Sequence, residues 1–94
     1  MTEEAMKTIE ECRLEIEKLD SRIVDLLVRR VFTTNEMAEA KKKQGLPIYD
    51  QMREDLLRRR VRQLAGTEYE DIVSVIYETI ITESKKLQMQ RFFE

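Results

Sequence analysis

The chain has no histidine and no tryptophan, one cysteine, one proline and two glycines in 94 residues. Each shortage excludes some chemistry. Without histidine there is no Ser-His-Asp triad and no His-rich metal site, and one cysteine cannot make a Cys₄ site. Cys12 has no partner for an intrachain disulfide, which fits a cytoplasmic protein. Two glycines leave nothing that looks like a P-loop or a dinucleotide fingerprint. The acidic opening, MTEEAMKTIEEC, lacks a long apolar run, so neither a signal peptide nor a membrane span is expected. No sign of charge dominates: 17 Lys and Arg stand against 19 Asp and Glu. Any bound anion must therefore be held by a local cluster of cations, not by the field of the whole chain. At this length the residues from 1 to 94 are expected to form a single domain.

What is present is helical periodicity. Ile9, Cys12, Ile16, Leu19, Ile23, Leu26, Arg30, Thr33, Met37 and Ala40 follow in steps of three and four, a seam from about residue 6 to about residue 43. Gly45 and Pro47 end it, as a C-terminal glycine followed by proline does. A second helix carries Met52, Leu56, Leu57, Val61 and Leu64 and stops near Gly66. Thr67 with Glu70 reads as a capping box that opens a third helix, through Ile72, Val73, Ile76, Ile80, Ile81 and Leu87 to about Phe92. The fold class is all-α. The first helix would be roughly 55 Å long at 1.5 Å per residue, whereas a compact chain of this size has a radius of gyration of about 12 Å. Apolar residues on such a helix stay uncovered unless a second copy packs on them, so an intertwined homodimer is expected.

Polar residues interrupt the apolar faces. Arg30 occupies a seam position, and Lys41, eleven residues on, returns to the same side of the helix. On the second helix Asp50, Arg53 and Glu54 lie one or two turns before Leu57, and Arg53 shares a stripe with Leu57, Val61 and Leu64. On the third, Ile76, Ile80, Ser84 and Gln88 step by four. Inward polar groups cost free energy unless they find partners. Taken singly, each has a structural explanation: an arginine in an ion pair, Glu54 paired with Arg53 or Lys41, Ser84 and Gln88 in an interhelical hydrogen bond. Polar groups from three helices with a cationic surplus suit instead a small anion, a carboxylate above all. The run RRRVR at 58–62 has no stacking aromatics beside it and Val61 belongs to the buried stripe, so nucleic-acid binding is not expected. Cys12 reads as a small core residue, and Phe92 and Phe93 as packing for the last turn.

Three segments, CRLEIEKLDSRIVDLLVRR, AEAKKKQGLPIYDQMRE and IITESKKLQ, resemble in order and spacing the all-helical, bacterial type II chorismate mutases. The likeness covers nearly the whole chain: an Arg-x₆-Asp leading to paired arginines after LL, then Lys, Pro and Asp-x-x-Arg-Glu, then Ser-x₃-Gln. The connection near Gly66 is short for the family. The resemblance implies a chain of three helices whose long first helices cross in a dimer. It also implies a site made of Arg13 from the partner protomer with Arg30, Lys41, Asp50, Arg53, Glu54, Ser84 and Gln88. Independently, Arg13 lies seventeen residues before Arg30, about 100° around the helix and roughly 25 Å along it, too far to reach the same pocket within one chain.

The implied reaction explains the missing histidine. Chorismate becomes prephenate, in phenylalanine and tyrosine biosynthesis, as one C–O bond breaks and one C–C bond forms. No proton moves, and no nucleophile, metal or cofactor is needed. The protein must hold a flexible dicarboxylate in a reactive shape and stabilise charge growing on its ether oxygen. By resemblance Arg13, Arg30 and Ser84 grip carboxylates, and Lys41 and Gln88 donate to the ether oxygen. Glu54 and the backbone near Asp50 hold the ring hydroxyl, and Arg53 supports the wall. Two alternatives remain at this level. One is a lyase on the same scaffold that removes pyruvate from isochorismate, against which Asp50, Glu54 and Ser84 count. The other is a non-catalytic helical dimer or regulatory module, which would carry leucine or alanine at positions 30, 84 and 88.

Overall fold

A computed structural model describes residues 6–92. Three helices follow in order: α1 Ile9–Gln44, α2 Gln51–Ala65 and α3 Glu70–Phe92, with no strand among the described residues. Phe93, expected to pack the last turn, lies outside them; Phe92 is half-buried. The chain divides into two units, one up to Phe32 and the other from Thr33 onward.

The first unit carries most of α1. Its start is fixed by a reciprocal cap that the sequence reading missed: the Glu11 N–H donates to Thr8 Oγ1 at 3.0 Å and the Thr8 N–H donates to Glu11 Oε1 at 2.8 Å. These are the two bonds of a capping box. The Thr8 backbone N–H and then its hydroxyl hold the Glu11 carboxyl below its ordinary value. Cys12, expected in a core, is exposed, as are Ile16, Leu19, Ile23 and Leu26 of the same seam.

In the second unit α2 packs on α3, and α1 ends in a tight stop. Gly45, with φ +72°, donates to Lys42 O at 3.2 Å, and Leu46 donates to Lys41 O at 2.8 Å. That pair of bonds closes a Schellman motif, which needs a left-handed residue and so favours glycine. The buried apolar residues are Ala38 on α1, Ile48 in the connection, Val61 on α2 and Ile81 on α3. On α1 the inward face is thus Thr34, Ala38 and Lys41, one position away from the seam residues Thr33, Met37 and Ala40, which are exposed.

Two further expectations shift. The third helix does not open at Thr67: residues 67–69 form a turn, and α3 begins at Glu70, acidic there with Asp71 as a helix N-terminus favours. The stripe Arg53, Leu57, Val61, Leu64 is buried only in its middle. Val61 is inside and Leu57 is half-buried, while Arg53 and Leu64 at the two ends are exposed. On α3 the isoleucine face runs inward toward its C-terminal half, from exposed Ile76 through half-buried Ile80 to buried Ser84 and Gln88.

Candidate active site

Ser84 and Gln88 are the buried polar residues among those described, at 9% and 5% exposure. They lie one turn apart on α3, and Gln88 Nε2 donates to Ser84 Oγ at 3.0 Å. The bond is therefore within one helix, not between helices as the structural reading supposed. The interhelical contact comes from a residue the sequence reading passed over: Thr34 Oγ1 on α1 lies 3.2 Å from Ser84 Oγ. A signal for it existed. Steps of four, four and three lead from Arg30 through Thr34 and Ala38 to Lys41, so Thr34 sits on the face that the two cations define.

Lys41, half-buried near the end of α1, donates from Nζ to Ile48 O at 3.2 Å. An ammonium carries three N–H groups, so this tie to the connection leaves two for other acceptors. Asp50 is exposed instead of inward and serves as the N-cap of α2, its carboxylate accepting from the Arg53 N–H at 3.2 Å. Extended backbone at Asp50, φ −143° and ψ 95°, is what an N-cap requires. The cap fixes the start of α2 and with it the positions of Arg53 and Glu54.

Glu54 is 12% exposed and pairs with neither Arg53 nor Lys41. Arg58 Nη2 reaches its Oε1 at 3.3 Å from one turn along α2, and Lys85 Nζ reaches its Oε2 at 2.9 Å from α3. Lys85 also stands 4.5 Å above the Tyr49 ring, a cation–π contact. Lys85 follows Ser84 directly and so leaves the inward stripe by a 100° step, which is why periodicity did not mark it. Glu54 is thus a carboxylate held from both sides at the α2–α3 seam.

The RRRVR run is structural in part. Arg58 binds Glu54, Asp55 and Glu78, the last at 2.6 Å through Nε. Its hydrogen bonds to Glu78 push Arg58 above its already high value and hold the Glu78 carboxyl below the usual range. Arg62 binds Glu70 and Asp71 at 2.9 Å each, and the hydrogen bonds to Asp71 and then Glu70 raise it. Arg59 and Arg60 are exposed and line a shallow surface of α2 with Arg53, Leu56, Leu57 and Gln63.

Arg13 and Arg30 belong to the first unit. Arg13 is exposed and 3.7 Å from Glu10, a surface pair one turn apart; Arg30 is half-buried on α1. The second unit brings together Thr34, Ser84 and Gln88, and separately Glu54, Arg58 and Lys85. It also carries Lys41 at the connection and Asp50 at the α2 start.

The second unit thus buries a hydroxyl and an amide on α3, with a half-buried lysine on α1 and a clamped carboxylate on α2. The chain belongs to the chorismate mutase type II family, whose sequence profile matches residues 12–89. It is 31% identical over 87 residues to the chorismate mutase of Methanocaldococcus jannaschii, a match spanning 90% of this chain and 88% of that protein. No solved structure matches it.

Proposed function

We propose that the chain rearranges chorismate to prephenate, a step toward phenylalanine and tyrosine, as a single-domain enzyme working in homodimers with two equivalent sites. The observation that carries this reading is the buried Ser84–Gln88 pair in a chain of the chorismate mutase type II family. A helix made only for packing has no use for a hydroxyl and an amide at positions that could hold leucine, because each must be desolvated.

The roles follow from donor chemistry. Gln88 Nε2 has two N–H groups, and one is on Ser84. The second is assigned to the ether oxygen, together with a free N–H of the Lys41 ammonium. Both are then in place before charge develops, the condition under which such donors lower a barrier. The Ser84 hydroxyl donates a hydrogen bond to a carboxylate, which is shared with Arg30 and with Arg13 of the partner protomer. Glu54 accepts from the ring hydroxyl beside the backbone at Asp50, and Arg53 lines the wall. None of these steps moves a proton to or from carbon. Their work is positioning and charge stabilisation.

The dimer is supported by what the single chain leaves exposed. Ile9, Ile16, Leu19, Ile23, Leu26 and Phe32 on α1 face solvent, while four apolar residues are buried in all among those described. So small a core does not offset the entropy of ordering the chain, whereas a second copy on the α1 seam would cover it. Asn35 Oδ1 and Ser74 Oγ are shielded from solvent without a hydrogen-bond partner among the described residues, which is unusual for buried polar atoms.

The test is direct. Purified protein is incubated with chorismate and, separately, with isochorismate, and the products are identified. Prephenate from chorismate is expected. Pyruvate and salicylate from isochorismate, with no prephenate from chorismate, would make it the lyase, and no product from either would leave a binding module.

A further inference from the structure

We infer that Tyr49 is a positioning residue for the proposed reaction: its aromatic face holds the Lys85 ammonium against Glu54 and so aims the Glu54 carboxylate at the substrate's ring hydroxyl. The inference rests on the reading of Glu54 as the acceptor for that hydroxyl.

The start of α2 shows what the contact does. Asp50 is the N-cap, so Tyr49 is the residue before the cap and Glu54 the fourth residue of the helix. Helices often fix their entry by packing apolar side chains at these two positions against each other. Here the second position holds a carboxylate, which gains nothing from an apolar neighbour. Lys85 of α3 joins the two instead: its Nζ lies 2.9 Å from Glu54 Oε2 and 4.5 Å from the centre of the Tyr49 ring. An aromatic face attracts a cation through its quadrupole, so the ring and the carboxylate share one positive charge.

The bonds of Glu54 show what this leaves for a ligand. An ionised carboxylate accepts at about four lone-pair positions. Arg58 Nη2 takes one on Oε1 at 3.3 Å, and Lys85 takes one on Oε2. Each oxygen keeps a position for a hydroxyl proton. Arg58 comes from α2 itself, one turn on, whereas Lys85 is the tie from α3. A lysine ammonium rides on a flexible four-carbon stem and is strongly hydrated. Lys85 is only half-buried, so by itself it would exchange the carboxylate for water. The Tyr49 ring narrows where the ammonium can go. Phenylalanine at this position keeps the aromatic face, and leucine fills similar space without it.

The substrate's ring hydroxyl takes no part in the bonds that break and form. A contact that holds it acts equally on bound substrate and transition state, so its loss raises KM and leaves kcat nearly unchanged. Steady-state kinetics with chorismate are measured for wild type, Tyr49→Leu, Tyr49→Phe, Lys85→Met, Glu54→Ala and the double variant Tyr49→Leu with Lys85→Met. Chorismate lacking its ring hydroxyl is added as a competing ligand, and its Ki is measured for the same proteins. Circular dichroism and mass of the assembly confirm that each is folded. Tyr49→Leu is expected to raise KM for chorismate roughly two- to fivefold, while Ki for the hydroxyl-free compound stays at the wild-type value. Tyr49→Phe should behave as wild type, and the double variant should match Lys85→Met, since Tyr49 acts only through Lys85. If Tyr49→Leu disturbs assembly, Tyr49→Met carries the same expectation. Wild-type KM in the ring-free variants, a Tyr49→Phe as weak as Tyr49→Leu, a Ki that rises with KM, or a Tyr49 effect undiminished in the Lys85→Met background overturns the inference while leaving the mutase reading intact. A Glu54→Ala variant with wild-type KM removes Glu54 from the hydroxyl and the inference with it. Absence of prephenate from the wild type is the separate result that removes the mutase reading.

Discussion

Gln88 is the residue at which bond direction and catalysis meet. Its amide donates to Ser84 and is assigned to donate to the ether oxygen as well. A carboxylate in its place can do neither while ionised; it would accept the Ser84 proton and repel the ether oxygen. Gln88→Glu is therefore expected to retain activity mainly under acidic conditions, while the wild type stays broadly active across neutral pH. A pH–rate profile of the variant that overlays the wild type would place Gln88 away from the reacting oxygen. Lys41→Ala removes a charged donor, and losses of this type cost about 10²–10³ in turnover. It also frees Ile48 O, so the change should be read in folded protein. Lys85 supports Glu54 from α3 but is one-third exposed. Solvent screens such a pair, and Lys85→Met is expected to lower kcat/KM by less than about tenfold. A larger loss in steady-state kinetics would mean that Lys85 itself touches the ligand.

At the level of elements, the helices were legible because two glycines and one proline leave few places to break. The stops at Gly45 and Gly66 were read correctly, each with positive φ. Caps made by ordinary residues were harder to see. Thr8–Glu11 and Thr67–Glu70 have the same spacing, yet only the first pair makes the box. A capping box exists only where the chain before it can take the extended entry, and after Gly66 the chain instead turns, with Tyr69 N–H donating to Gly66 O at 3.3 Å. Asp50 was read as a site residue through its backbone, and its side chain is the N-cap of α2. Asp50→Ala is thus expected to destabilise the fold by about 1 kcal/mol, and Asp50→Asn by much less; chemical denaturation distinguishes the two. The α2–α3 pairing also has a pH signature. Arg58 depresses the Glu78 carboxyl below 4.5, so the folded state binds that proton less readily than the unfolded one. The resulting stability is fully present above about pH 4.5 and is lost as pH falls through the depressed folded value. Denaturation between pH 7 and pH 3 should show a shallower acid loss in Glu78→Gln than in wild type.

For the whole molecule, the length of α1, and not the period of its apolar seam, carried the expectation that a second copy covers it. Period alone says which residues share a face, and it cannot say whether the face meets the same chain or another. The chain's own packing uses Thr34, Ala38 and Lys41, and the seam beside them is left open. Arg13 was singled out by the resemblance, with its distance from Arg30 in support, while Thr34 and Lys85, whose partners lie on other helices, were not singled out. The shared-site proposal makes a mixing prediction. Arg13→Ala and Lys41→Ala chains, each inactive alone, should regain activity after subunit exchange, because some sites then hold both wild-type residues. Demonstrated exchange without recovered prephenate formation would show that Arg13 acts within its own chain or not at all.

The open seam on α1 also governs time. If Ile16, Leu19, Ile23 and Leu26 become covered only when two chains meet, folding and association are one event, and the rate law for recovery from denaturant is second order. Halving the chain concentration should double the half-time of refolding, while the unfolding rate stays fixed. The midpoint of thermal denaturation should then rise with protein concentration, as it does when the folded species is a pair.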